Sequence, residues 1–408
     1  MKYKNTVPVA AAAVLLIVTV LVSSLSNQSS PSVPTAKSNT ATASEPVTEA
    51  DKTLDDMRGI WITYMELNMA NEADKSEGAF RKKFETIAEN CASFGFNTLV
   101  VQVRPFCDAL YESDLFPPSH ILSGTQGKSA GYDALKIMCE ICKSKGLKIH
   151  AWINPYRVMY HETPEVLADN NPYVKDPSLG ITTESSVILD PSSITVRQLI
   201  TDGVREIVEN YDVDGIQFDD YFYPTDIANN DSEQYQAYAN AAKSGSVMNL
   251  EAWRKFNVSL LISETYLCIH RTRNDVVFGI SPQGNLSNNE GLSADVVNWC
   301  GKKGFIDYIC PQLYFSFDNP RLGFEEALED WTALEFADNV RMYAGLAGYK
   351  AGSDADEGTW LDNSDILLNE YNALKKSNKV SGFMLYSYAS LTNADAQDEI
   401  ENLRKGLN

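Results

Sequence analysis

Apolar residues along this chain keep two rhythms in turn: short β-branched runs suited to buried strands, and longer stretches where they recur every three or four positions as on a helix. Residues 58–64 read as a first strand, 77–93 as an amphipathic helix and 96–104 as a second strand, apolar on both faces as a covered parallel strand requires. The unit then repeats. Helices are expected over 132–145, 194–210, 248–266, 295–303, 324–336, 364–376 and 394–406, with strands over 147–153, 213–218, 276–282, 306–314, 341–345 and 380–386. Polar stretches at 155–191 and 225–246 interrupt this rhythm, and loops of such length are usually functional.

Strand and helix alternating in this way predict an α/β fold with a parallel sheet. No G-x-G-x-x-G or G-x-x-x-x-G-K phosphate loop follows the first strand, which removes the main argument for an open doubly wound sheet. Polar residues instead gather at the ends of nearly every strand, as they do at the rim of a (β/α)8 TIM barrel with long βα loops. The stretch Tyr211-Asp-Val-Asp-Gly-Ile-Gln-Phe-Asp-Asp-Tyr-Phe-Tyr-Pro224 shows this best. Alternation puts Val213, Gly215, Gln217 and Asp219 on one face and Ile216 and Phe218 on the other, so Asp219 points inward where the strand ends. By the same parity Gln102 and Arg104 share a face, as do His150, Trp152 and Asn154.

Composition narrows the setting. The chain has 408 residues, 44% of them hydrophobic, enough for one barrel-sized domain, expected over 55–408. A formal net charge of -21 makes nucleic acid a poor partner, and no protein partner is evident. Lys2 and Lys4 precede an apolar run at 7–22, the pattern of an export signal, so residues 1–26 are expected to be a cleaved signal peptide or an uncleaved anchor. A Ser/Thr/Ala/Pro-rich linker follows over 27–54. The protein is therefore expected outside the cell, or held on the outer face of the cytoplasmic membrane. The 7 cysteines are odd in number and scattered, which reads as buried thiols and not a disulfide framework. The 4 histidines lack metal-ligand spacing and no G-x-S-x-G is present, so neither a metal nor another cofactor is expected, nor a serine esterase.

Several ordered words in the chain are similar to those of the glycosyl-hydrolase-10-like proteins of bacterial envelopes, a family distinct from the true family 10 xylanases. They are Arg58-Gly-Ile-Trp, Asn97-Thr-Leu-Val-Val-Gln-Val-Arg-Pro105 with Asp108-Ala-Leu-Tyr111, and Ala151-Trp-Ile-Asn-Pro-Tyr-Arg157. Leu189-Asp-Pro191, the 211–224 stretch, Phe278-Gly-Ile-Ser-Pro282, Asp307-Tyr-Ile-Cys-Pro-Gln-Leu-Tyr314 and 382–386 continue the match. The resemblance implies a TIM barrel acting on bacterial glycan strands, with peptidoglycan freed of its stem peptides as a substrate. The chain departs from the family in having Gln217 where His is common and Gln283 where an aromatic is common.

Glycoside hydrolysis needs one carboxyl to protonate the leaving oxygen and another to attack or to activate water. Asp219 is the first choice; its Gly-x-x-x-Asp setting resembles the nucleophile strand of α-amylase-type barrels. Asp220 points the other way on a regular strand, but a turn starting there can swing it over the barrel mouth, and a neighbouring acid would raise its pKa as a proton donor requires. Asp108, after the second strand, competes as a partner from across the barrel; Glu264 and Asp318 rank lower. Arg104, Asn154, Arg157, Gln312 and Tyr314 suit hydrogen bonding to sugar hydroxyls, and Trp61, Trp152, Tyr221, Tyr223 and Tyr386 suit stacking on sugar rings. A noncatalytic glycan-binding barrel is the rival expectation, and a metal-dependent hydrolase using Asp108, Asp219 and Asp220 a third.

Overall fold

In the computed structural model of the chain, residues 57–243, 245–361 and 363–407 are described. The expected export segment (1–26) and linker (27–54) lie outside them. Parallel strands β1 (Met57–Ile62), β2 (Thr98–Arg104), β3 (Lys148–Ile153), β4 (Gly215–Phe218), β5 (Val277–Ile280) and β6 (Tyr308–Ile309) pair in chain order. Strand β7 is interrupted at Tyr343, running as Arg341–Met342 beside β6 and as Ala344–Leu346 beside β8 (Gly382–Leu385), which in turn pairs with β1. The sheet thus closes on itself. Helices α1 (Glu77–Phe94), α2 (Ala134–Ser144), α3 (Ile194–Asn210), α4 (Leu250–Thr272), α5 (Val296–Gly301), α6 (Phe324–Thr332), α7 (Ile366–Ser377) and α8 (Gln397–Leu407) alternate with the strands, and the architecture is the TIM barrel that the sequence rhythm predicts.

Local chemistry sets these boundaries. Ser76, Asp133, Ser193 and Asn249 each accept a backbone N–H from the first turn of α1, α2, α3 and α4, caps whose loss typically costs about 1 kcal/mol each. Helix α4 runs on to Thr272 because Ile269 continues its buried stripe. The ladder of β6 is short because Pro311 has no N–H to donate, although Gln312 still bridges to Gln283 and Gly345 and keeps the wall continuous. The polar stretch 155–191 folds into a small antiparallel sheet of Arg157–Tyr160, Gly180–Thr182 and Ser186–Leu189. Another short helix, Ser232–Ala241, stands in the polar stretch before α4.

Two apolar layers result. One lies between strands and helices; the other fills the barrel with Met57, Val100, Tyr308, Tyr343 and Met384 beneath Trp61 and Trp152. Inward glycines make room for the large rings: a Cβ on Gly215 would sit 2.8 Å from the His150 ring, and one on Gly279 2.0 Å from that of Tyr308. All seven cysteines are free thiols, and all but Cys268 are buried.

Candidate active site

Above the inner layer, at the C-terminal ends of the strands, opens a cavity of ≈ 400 Å³. Asp219 and Asp220 form its floor at the end of β4; they are the only carboxylates lining it among the described residues, and they are 3% and 4% exposed. The wall across from them is aromatic. Tyr314, Tyr349 and Tyr386 pack on one another with ring centroids 5.7–5.8 Å apart, and Tyr386 lies 6.0 Å from Trp61.

Asp219 continues the inward face of β4, as alternation predicts. Its Oδ2 accepts the indole N–H of Trp152 at 3.1 Å and the side-chain amide of Asn154, and its Oδ1 accepts the backbone N–H of Tyr221 at 3.3 Å. The Asn154 amide is itself aimed. Gln102 Nε2 donates to Asn154 Oδ1 at 2.6 Å, while Gln102 Oε1 accepts the Tyr64 backbone N–H at 3.1 Å. Every amide in this relay has its donor end pointed toward Asp219.

Asp220 begins the turn, and the turn brings it over the same cavity. Its oxygens accept the side-chain amides of Gln283 and, at 3.3 Å, of Gln312. Asn289 clamps the loop after β5 by accepting the Gln283 backbone N–H at 3.1 Å and donating to its carbonyl at 3.0 Å.

Both carboxyls titrate high. Burial pushes Asp219 up to about 7, with the Arg157 charge opposing, the Asp220 charge adding, and the Trp152 and Tyr221 N–H groups opposing. Burial also raises Asp220, against the Gln283 and Gln312 amides and the Arg157 charge. Acids on consecutive residues titrate as a pair, so a proton stays between them into the neutral range.

The remaining expected residues divide. Trp152, Tyr221, Gln312, Tyr314 and Tyr386 line the cavity, and Asn154 stands behind it, holding Asp219. Arg157 lines an adjoining chamber of ≈ 220 Å³ on the far side of Tyr221.

Two residues are not where the sequence reading put them, one by alternation and one by its place after the second strand. Arg104 lies outside the barrel with its guanidinium 4.5 Å from the Phe116 ring centroid, because the β2–β3 register shifts between Gln102 and Arg104 and parity inverts there. Asp108 is fully buried in the loop after β2, holding the Phe106 backbone N–H, His120 and Gln126, and it does not line the cavity.

Others are occupied elsewhere. Tyr223 is buried at 1% exposure and stacks on nothing in the cavity, and Glu264 on α4 pairs with Arg197 at 3.5 Å. Glu66, a half-buried acid in the loop after β1, gives its oxygens to Thr63 N, Ser387 Oγ and Ala389 N. Gln217 sits below the cavity, accepting the Trp61 indole N–H at 2.6 Å and donating to Tyr308 Oη at 3.2 Å.

Sequence reasoning did not select Gln102, Gln283, Ser281, Phe315 or Tyr349. Ser281 and Gln283 follow Gly279 on the inward parity of β5, a signal that was available; Tyr349 lies in a loop beyond β7 and had none.

Residues 56–362 match the family model described as glycosyl hydrolase-like 10, three quarters of the chain. The chain belongs to this family. It is a glycoside hydrolase with the barrel that the family words imply. A Bacillus subtilis (strain 168) relative, glycosyl hydrolase YngK, is 31% identical over 362 residues, covering 82% of this chain and 69% of the relative. Glycosyl hydrolase DigH of Escherichia coli (strain K12) is 28% identical over 399 residues, covering 88% and 89%. Among solved structures, the PgaB (BpsB) glycoside hydrolase domain from Bordetella bronchiseptica superposes with a TM-score of 0.58 at 11% identity, covering 85% of this chain and 99% of that one. The catalytic domain of a Paenibacillus polymyxa beta-amylase gives 0.56 at 11% identity, covering 86% and 97%. At such identities these two likenesses speak for the fold alone.

Proposed function

We propose that this protein is exported and hydrolyses glycosidic bonds in a bacterial cell-wall glycan, namely peptidoglycan strands freed of stem peptides. The observation that carries the reading is a paired acid floor facing an aromatic wall, which is what a sugar ring held over a reacting bond requires. The basic and apolar start of the chain supports export, and the family words support the wall polymer.

Asp219 and Asp220 divide the chemistry. Three N–H donors converge on Asp219 and favour its charged form, so within the pair Asp219 takes the carboxylate role and faces the positive charge that develops at the anomeric carbon. Asp220 meets two amides and holds the shared proton, which it gives to the leaving oxygen and later recovers from water. Trp61, Tyr314 and Tyr386 hold the ring above them.

The full chain should be incubated with amidase-treated peptidoglycan and the new reducing ends counted and weighed by mass spectrometry. Saturable binding with no released product would point to the noncatalytic glycan-binding barrel instead. Cleavage lost to chelator and restored by a divalent ion would point to the metal-dependent alternative.

A further inference from the structure

Arg157 is the only lysine or arginine lining either the acid-floored cavity or the chamber beside it among the described residues. It opens the first strand of the small antiparallel sheet, Arg157–Tyr160. Its guanidinium carbon lies 4.3 Å from the Tyr221 ring centroid and 5.6 Å from that of Phe106. Rings on the face of a guanidinium leave its N–H edges open, and those edges match a carboxylate in a planar, two-toothed contact. Among the described residues, no carboxylate comes within ion-pair distance of Arg157 and no hydrogen bond occupies it.

The chamber that Arg157 lines adjoins the site. Its lining shares Asp220, Tyr221 and Gln283 with the larger cavity, so a polymer unit seated there lies next to a unit seated over the acids. Two acids line this chamber, and hydrogen-bond donors engage both. Asp226 gives its Oδ2 to the backbone N–H and hydroxyl of Ser185 at 3.0 and 2.9 Å, and Asp220 accepts the Gln283 and Gln312 amides.

We propose that the chamber is a subsite for the sugar next to the scissile bond and that Arg157 binds a carboxylate carried on that sugar. This rests on the cell-wall reading above, in whose polymer every second sugar bears a lactyl ether carboxylate. Because such sugars alternate with neutral ones, seating the carboxylate at Arg157 selects one of the two alternating bonds for cleavage. The products of the enzyme then share one kind of reducing end.

The test uses a tetrasaccharide of the peptide-free strand and the same compound with its carboxyls converted to methylamides. Binding of both to the full chain carrying Asp220→Asn is measured by calorimetry, and their cleavage by the wild-type chain is followed separately. Amidation should weaken binding at least about tenfold, the value of a charge-assisted contact. Adding Arg157→Met should erase the difference by weakening the acid form alone, and Arg157→Lys should restore part of it. Equal binding of the two compounds by the parent overturns the subsite. So does an Arg157→Met effect of the same size on both, which would make Arg157 a prop for the Tyr221 loop. Discrimination in binding without any cleavage by the wild-type chain would leave the subsite standing and reject the cell-wall hydrolase reading. Cleavage indifferent to amidation would do the reverse.

Discussion

Replacing Asp219 by Asn should make the protein less stable in acid and more stable near neutrality. In the native protein the Asp219–Asp220 pair keeps one proton up to about 7 against an ordinary 3.8, so between those values the folded state holds a proton that the unfolded chain has released. Stability therefore falls as pH rises from about 4 to about 7, by a charge-burial cost of up to roughly 4 kcal/mol for a shift of about three units. The amide in its place would carry no such charge and would relieve the coupling to Asp220. Against this gain, the new amide presents N–H groups to Trp152, Asn154 or Tyr221, which are themselves donors, at a pH-independent cost of about 1–3 kcal/mol. The variant should be the weaker protein at pH 4.5 and the stronger at pH 8. Urea denaturation of both chains at several pH values reads the difference directly, and titrations elsewhere, such as that of the buried Glu370, cancel in it. A gap between the two chains that stays constant across this range would refute the buried-charge reasoning.

Asp220→Asn should lower kcat on cell-wall glycan by about 10²–10⁴ with bound substrate still measurable, and undiminished turnover would remove Asp220 from the proton-donor role. Carboxyls roughly 5–5.5 Å apart give retention and those roughly 6.5–9.5 Å apart inversion; two acids on adjacent residues turned over one cavity favour the closer spacing, so proton NMR of fresh product should show retained anomeric configuration. Net inversion would mean that a second acid reaches the site from elsewhere. Gln102→Leu, which releases the Asn154 amide without touching the cavity, should lower kcat about tenfold with KM little changed. Tyr386→Ala should instead act mainly on KM, by about three- to tenfold for the lost ring contact, and a pure kcat effect would speak against stacking.

The alternation of helix and strand was readable because each βα unit buries its strand on both sides and its helix on one, and those patterns differ in period. Asp219 was readable for a related reason: strict period-two parity holds along β4, where the β3 and β5 pairings keep register. The same rule misplaced Arg104, since a one-residue irregularity in β2 inverts parity and leaves no mark in the composition of that strand. Asp220 was left open because a turn sets its direction. Asp108 looked like a partner by its position after a strand; its burial depends on His120 and Gln126, which approach from farther along the loop. The amides of Gln283 and Gln312 reach Asp220 only once the barrel closes, and no local pattern announces that meeting.

The two acids are consecutive, yet they answer to opposite halves of the molecule. Asp219 is gripped by Trp152 and Asn154, which come from β3 and its end, with Gln102 of β2 behind them. Asp220 is gripped by Gln283 and Gln312, which follow β5 and β6. One peptide link is the seam between two separate sets of hydrogen-bond donors. Substitutions in the early half of the chain can re-aim one carboxyl and substitutions in the late half the other, while the proton they share carries each change across to its neighbour. An enzyme assembled this way can be retuned, by selection or by design, from either side of the barrel.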